Sequence, residues 1–357
     1  MKTLFKSYPI LQTCVYLPRK SPANAGFLYF STPYINFYSV KHTIQNSDIS
    51  LTALSYGATV QQLRVRDRNG KDINVVLGFG EEDDYLHNPS YIGASIGRYA
   101  GRIGGGGFTL NGTRYELHQE NGVHLHGGEN GLNKKDWQLE ALSDEGDHPS
   151  ITYSTLSPHL EEGYPGNLKV TVTYRLEGRS LKVTYKATSD RDTVINLTNH
   201  AYFNLNGKGA VLDHELKLSS GTFVELDGKL LPTGNFRDVA GTAYDFRSPA
   251  FIGQQPGFSG IDDVFVLDTP SEAAVLYAPE TGIEMKVATN QRAVVVYTPE
   301  DLGALPFAEG AAYGKYSSIC FEAQTFPDAP NQPAFPSAVL RAGDTYCNET
   351  VFEFSIR

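Results

Sequence analysis

The stretch Leu168-Lys-Val-Thr-Val-Thr-Tyr-Arg-Leu176 and its partner Ser180-Leu-Lys-Val-Thr-Tyr-Lys-Ala187, joined through Glu177-Gly178, decide the fold class. Both arms alternate apolar with polar residues and are rich in β-branched and aromatic side chains. With a glycine turn between them, they predict an antiparallel hairpin with one buried face. The same pattern recurs outward along the chain. Phe108-Thr-Leu-Asn-Gly-Thr-Arg-Tyr-Glu-Leu117 turns at Asn111-Gly112, and Thr59–Arg66 runs into Asp67-Arg-Asn-Gly70, where Asn-Gly is expected to supply positive φ angles. Ile49–Leu54 reads as a strand with one buried face, and Glu272–Tyr277, Ile283–Val287, Ala293–Thr298 and the tail Thr350–Ile356 as further strands. Helical periodicity is nearly absent, with room for single turns at Glu81–Asp84 and Pro299–Leu302. Many short strands at regular spacing predict an all-β sandwich or barrel, a class in which one domain of this size is ordinary.

No Pro/Gly/Ser linker divides the chain, so residues 37–357 are read as one domain. Residues 1–36 differ in texture, with the loop-like Arg19-Lys-Ser-Pro-Ala-Asn-Ala-Gly26, and are read as an N-terminal extension of unclear role. The 357 residues carry a net charge of −10, which disfavours a nucleic-acid surface. Three scattered cysteines, Cys14, Cys320 and Cys347, form neither a disulfide framework nor a zinc motif, and their odd number fits a reducing compartment. No apolar run reaches the roughly 18–20 residues of a membrane span. The segment before Cys14 has a faint signal-like look, but Lys6, Pro9 and Gln12 interrupt it, and a cytoplasmic location is expected.

Five features are candidates for chemistry. Asn196-Leu-Thr-Asn-His-Ala-Tyr-Phe-Asn-Leu205 sets His200 among apolar neighbours, where it is either a core histidine bonded to backbone or a proton donor. Gly97-Arg-Tyr-Ala-Gly-Arg-Ile103 lacks the Lys-Ser/Thr ending of a nucleotide loop, and offers Arg98 and Arg102 either to a polyol or to a salt-bridged turn. His124-Leu-His126, read as a strand, points both rings to one face, a metal-ligand spacing with Glu129 as a third ligand. In Gly260-Ile-Asp-Asp-Val-Phe265 an acidic pair precedes an apolar run, a common strand-start pattern. Glu322, in Ser318-Ile-Cys-Phe-Glu-Ala-Gln324, interrupts a strand that reads as buried, so its carboxylate is either paired or used. No Gly-x-Ser-x-Gly elbow is present, which disfavours nucleophilic hydrolysis. Asp262 and Glu322 together would also suit glycoside hydrolysis.

In their order along the chain, these motifs resemble the aldose 1-epimerase (galactose mutarotase) family. The resemblance runs from about Tyr38 to the C-terminus and includes Val75–Phe79, Gly97–Ile103, Leu125–Gly128, Glu162–Gly166, Asn196–Leu205, Tyr244–Arg247 and Phe321–Gln332. It implies a large antiparallel β-sandwich of the galactose-mutarotase type and interconversion of the α- and β-anomers of free aldohexoses. It also implies roles: Glu322 as general base, His200 as general acid, and Arg102, His126, Asp262 and Gln291 as sugar-binding residues. Such chemistry calls for no cofactor and no metal. The implied partner is a monosaccharide, galactose or glucose, acted on by a monomer or weak dimer without nucleic acid or membrane. Two positions depart from the family pattern. Gly101 stands where many members have Asn, and the aspartate motif reads Ile-Asp-Asp-Val-Phe, with Val264 replacing a polar residue, which bears on sugar preference more than on the reaction. The alternative readings are a hexose-6-phosphate 1-epimerase, which should offer more cationic groups, and a non-catalytic carbohydrate-binding sandwich.

Overall fold

The computed structural model describes residues 39–357 apart from 145, 309, 310 and 312. The extension expected over residues 1–36, with Cys14, lies outside the described residues. The hairpin that set the fold class forms as read. Leu168–Glu177 and Ser180–Ser189 pair antiparallel over their whole length, with Glu177 opposite Ser180 and Gly178 at φ +55 in the turn. One face of the pair is buried, carrying Val170, Val172, Tyr174 and Leu176 against Leu181, Val183, Tyr185 and Ala187. Each such side chain stabilises the fold by about 1.5–3 kcal/mol when fully buried.

This hairpin sits inside a nine-stranded antiparallel sheet. The order is Gln138–Ser143, Ser150–Ser157, Leu168–Glu177, Ser180–Ser189, Thr345–Ile356, Ile283–Thr289, Ala274–Tyr277, Glu215–Leu218 and Ala250–Phe251. The C-terminal strand, Thr345–Ile356, lies in the middle and pairs with Ser180–Ser189 on one side and Ile283–Thr289 on the other. A second, six-stranded sheet runs Tyr202–Phe203, Ile319–Gln324, Ala293–Tyr297, Asp262–Val266, Thr222–Leu226 and Pro232–Asp238. A four-stranded meander, Lys41–Gln45 to Asp72–Asn74, completes the main layers.

The core is continuous between these sheets: Tyr174, Tyr185 and Phe352 share one buried cluster with Phe203, Phe321 and Val294 and with Leu51 and Leu63 of the meander. Alternation along the strand Ile319–Gln324 divides its side chains. Ile319 and Phe321 enter that core, while Glu322 and Gln324 face a cavity on the other side of the six-stranded sheet. The two faces of that sheet therefore do different work, one packing and one lining a site.

Three local expectations change. Ile49–Leu54 is buried on both faces, because the meander lies against the main core rather than beside solvent. At Asn69-Gly70 only Gly70 takes a positive φ, since the Asp67 carboxylate accepts from the Asn69 and Lys71 amides and shapes the turn itself; at Asn111-Gly112 both residues do. A 3₁₀ turn forms at Glu82–His87, but residues 299–302 form none. Among the described residues, no helix is long and apolar enough to cross a membrane.

Candidate active site

The asparagines around His200 hold it in place. Asn196 Nδ2 donates to the carbonyls of Ala100 and Thr325, and its Oδ1 accepts from the Thr325 amide. Asn199 Nδ2 donates to Gly93 O, and Asn204 Nδ2 to the carbonyls of Lys208, Gly209 and Ser317. Thr198–Asn199 pairs with Ser95–Ile96, and His200 exchanges backbone hydrogen bonds with Gly93 and Ala94. Buried amides satisfied in this way lock several loops to one short segment. His200 is thus fixed by its backbone, and its ring is stacked on Tyr202 with centroids 5.0 Å apart.

The ring faces a cavity of about 230 Å³. That is below the roughly 300–1,000 Å³ usual for drug-sized ligands and suits a single sugar ring. Glu322 and Gln324 form its floor with Val295, and Tyr91, Tyr202 and Tyr297 its aromatic walls. Arg102 and Asp262 face each other across it, Nη2 to Oδ2 4.0 Å. Arg102 is placed by pairing with Leu125, and Asp262 begins a strand opposite Tyr297. His126 Nδ1 accepts from the Gly101 amide at 3.1 Å, which leaves Nε2 to carry the ring proton and donate into the cavity. At the centre, His200 Nε2 lies 3.5 Å from Glu322 Oε1, while Glu322 Oε2 has no protein partner.

Electrostatics follow from burial. Desolvation pushes Glu322 up to about 8, with the Asp262 charge adding to the rise and Arg102 opposing it. Desolvation pushes His200 down to about 4, and holds His126 well below the ordinary histidine value. Asp262 is raised by desolvation, against the pull of Arg102. Near neutral pH the His200–Glu322 pair therefore carries one proton between two buried groups, the arrangement needed for one group to accept a proton as the other gives one. His126, His200 and Glu322 also form a set whose ligand atoms all lie within 4.8 Å of one another, a place for a divalent ion inside the same cavity.

Of the six residues singled out from the sequence, five are brought together here: His200, Glu322, Arg102, His126 and Asp262. Gln291 is not. It lies in the turn before Ala293–Tyr297, where its Nε2 donates to Asn290 Oδ1, outside the cavity. The expected His-x-His face is also corrected. The strand ends at Leu125, and His126, at φ +52, turns away from it. His124 instead contacts Tyr164 Oη at 2.7 Å and His118 O, and Glu129 approaches His118 at 3.8 Å, so no metal set forms from His124, His126 and Glu129. The two arginines separate as well: Arg98 is buried and donates to Ser157 Oγ and to the carbonyls of Ser157, Pro158 and Pro165. The sequence reading passed over Tyr91, Tyr297, Val295 and Gln324. Gln324 was within reach, because it shares the parity of Glu322 on one strand.

Comparison with known proteins points to one family. The profile of the family described as aldose 1-epimerase matches residues 40–353. The chain is 41% identical over 326 residues to the galactose mutarotase of Bos taurus, covering 88% of this chain and 94% of that protein. It is 31% identical over 325 residues to the aldose 1-epimerase of Escherichia coli (strain K12), covering 87% and 93%. Among solved structures, the GalM/aldose epimerase homologue from C. elegans superposes with a TM-score of 0.84 at 32% identity, covering 89% of this chain and 99% of that one. The galactose 1-epimerase from Lactobacillus acidophilus NCFM gives 0.79 at 26% identity, covering 89% and 95%.

Proposed function

The chain belongs to the aldose 1-epimerase family, whose members interconvert the α- and β-anomers of aldoses, and from that premise we propose that Glu322 and His200 carry the reaction on a hexose, with galactose as substrate. The observation that supports these roles most strongly is the buried contact between His200 Nε2 and Glu322 Oε1 at 3.5 Å, facing a cavity the size of one sugar ring.

Ring opening needs two proton transfers. The proton on the anomeric hydroxyl passes to Glu322 as the C1–O5 bond breaks, and O5 takes a proton from His200. The aldehyde at C1 rotates about the C1–C2 bond and presents its other face. O5 then returns its proton to His200 as it attacks C1, and the new anomeric oxygen takes the proton from Glu322. The pair begins and ends with one proton, so no external acid or base is consumed.

Burial by the protein alone favours the uncharged pair, with that proton on Glu322. A bound sugar replaces lost hydration with hydroxyl donors to the carboxylate, and Arg102 already favours the ionised form. Both effects move the proton toward His200 and prepare Glu322 as the base. Arg102, His126 Nε2–H and Asp262 hold hydroxyls and keep the open chain in place between opening and reclosure. The relatives named galactose mutarotase support galactose as the sugar.

The test is polarimetry on freshly dissolved α-D-galactose. Glu322→Gln is expected to abolish acceleration while galactose still binds by calorimetry. A near-parental rate in that variant would remove Glu322 from the mechanism.

A further inference from the structure

One polar group on the cavity floor remains unexplained by the acid–base pair. Gln324 is fully buried, and neither its Oε1 nor its Nε2 has a hydrogen-bond partner. A primary amide offers two donors and two acceptor lone pairs, and leaving all of them unmet inside a protein is costly. In the same strand Glu322 stands opposite Val295 and Gln324 opposite Ala293, so the amide lies one pleat along from the carboxylate on the same face. Two residues of antiparallel strand span about 6.8 Å, comparable with the width of a pyranose.

The wall beside this amide leaves it without a partner. Gly101, at φ +80, has no side chain; a Cβ there would come within 2.9 Å of Pro327 Cγ and 3.4 Å of Gln324 Nε2. Arg102 follows directly, and Gly101, Arg102, Gln324 and Pro327 all border the cavity. The amide is therefore covered on this side by Gly101 and Pro327, which give it no hydrogen bond, at the border of the cavity where the sugar would lie.

We propose that Gln324 is a sugar-binding and specificity-determining residue, its Nε2 donating to and its Oε1 accepting from hydroxyls on the side of the pyranose away from C1. This rests on the placement of C1 at Glu322 and His200 given above. The amide recognises hydroxyls by a donor–acceptor pair, so it rewards a sugar that presents both functions and penalises one that lacks a hydroxyl there.

The experiment compares the parent enzyme with Gln324→Leu and Gln324→Glu on D-galactose and on its 2-, 3-, 4- and 6-deoxy forms, by polarimetry. Gln324→Leu is expected to lower kcat/KM for galactose roughly 10- to 100-fold. That loss should shrink to about twofold on one deoxy sugar, or on two with neighbouring positions, because the missing hydroxyl no longer needs the amide. Gln324→Glu, which keeps acceptors and loses the donor, should fall between. In the absence of sugar, Gln324→Leu should melt at or above the parental temperature, since it removes an unpartnered buried amide. An equal loss on galactose and every deoxy sugar, or no loss on any, would overturn the proposal, as would a melting temperature well below the parent. Turnover retained in Glu322→Gln would instead overturn the acid–base reading, and the deoxy series does not depend on that result.

Discussion

His200 Nε2 and Glu322 Oε1 lie 3.5 Å apart with both side chains about 95% removed from solvent, at 5% and 4% exposure. Burial drives their titrations in opposite directions, Glu322 up to about 8 and His200 down to about 4. Between those limits the pair holds one proton, whichever member carries it. Below about 4 a second proton leaves no base, and above about 8 loss of the first leaves no acid. The profile of kcat/KM against pH should therefore be bell-shaped, with limbs that belong to the pair and not to either residue alone. Polarimetry across pH 3.5–9.5, with buffer catalysis subtracted, measures this. A rate that stays level beyond the alkaline limb would mean that Glu322 is not one of the two groups.

The same shift has a cost in stability. A carboxyl whose value rises from 4.5 in the unfolded chain to about 8 in the folded one contributes fully below pH 4.5. That contribution is lost as pH rises through 8. Glu322→Gln removes the titration and keeps the shape, so the variant should become more stable than the parent as pH rises. The gain should reach the order of a few kcal/mol at pH 9 and level off there. Thermal unfolding without sugar at pH 4.5, 7 and 9 gives the comparison. Parallel curves for the two proteins at all three values would contradict it.

Arg98 and Arg102, four residues apart in one motif, should fail in opposite ways. Arg98 is sealed in and satisfies three carbonyls and a hydroxyl with a fork that lysine cannot reproduce. Arg98→Lys is expected to lose about 2–4 kcal/mol of stability through unmet buried acceptors. Arg102 is partly exposed and meets Asp262 only at 4.0 Å, so Arg102→Ala should change stability by no more than about 1 kcal/mol. It should lower kcat/KM by about 100-fold through lost grip on the sugar. Denaturant titration and polarimetry of both variants decide the matter, and a folded, stable, inactive Arg98→Lys would reverse the assignment.

How much of this was legible in the sequence depended on what fixes each residue. The Leu168–Ala187 hairpin was legible because alternation and a glycine turn are local properties. Glu322 was legible because a carboxylate within an apolar strand signals itself. His126 was located but its direction was not, since a residue at φ +52 after a two-residue strand breaks the alternation that a longer strand would keep. Gln291 was expected at the sugar but sits in the turn before the apolar strand Ala293–Tyr297, and it is Val295 of that strand that reaches the cavity, a placement that depends on strand register. Tyr91 and Tyr297 were missed because they reach the cavity from separate segments that only the tertiary fold brings together.

The charges around Glu322 yield a signed test of the site. Asp262 raises the Glu322 titration through its negative charge, and Arg102 lowers it. Neutralising each at near-constant size should then move the alkaline limb of kcat/KM in opposite directions. Asp262→Asn removes a like charge, makes ionised Glu322 easier to reach and shifts the limb to lower pH. Arg102→Gln removes the favourable charge and shifts it to higher pH. Both variants lose sugar contacts and will run more slowly, but a slower rate displaces the profile vertically, whereas the field at Glu322 displaces it along the pH axis. Limbs that move the same way in both variants, or do not move at all, would show that Glu322 does not sense these two groups, and that the alkaline limb reports on another acid.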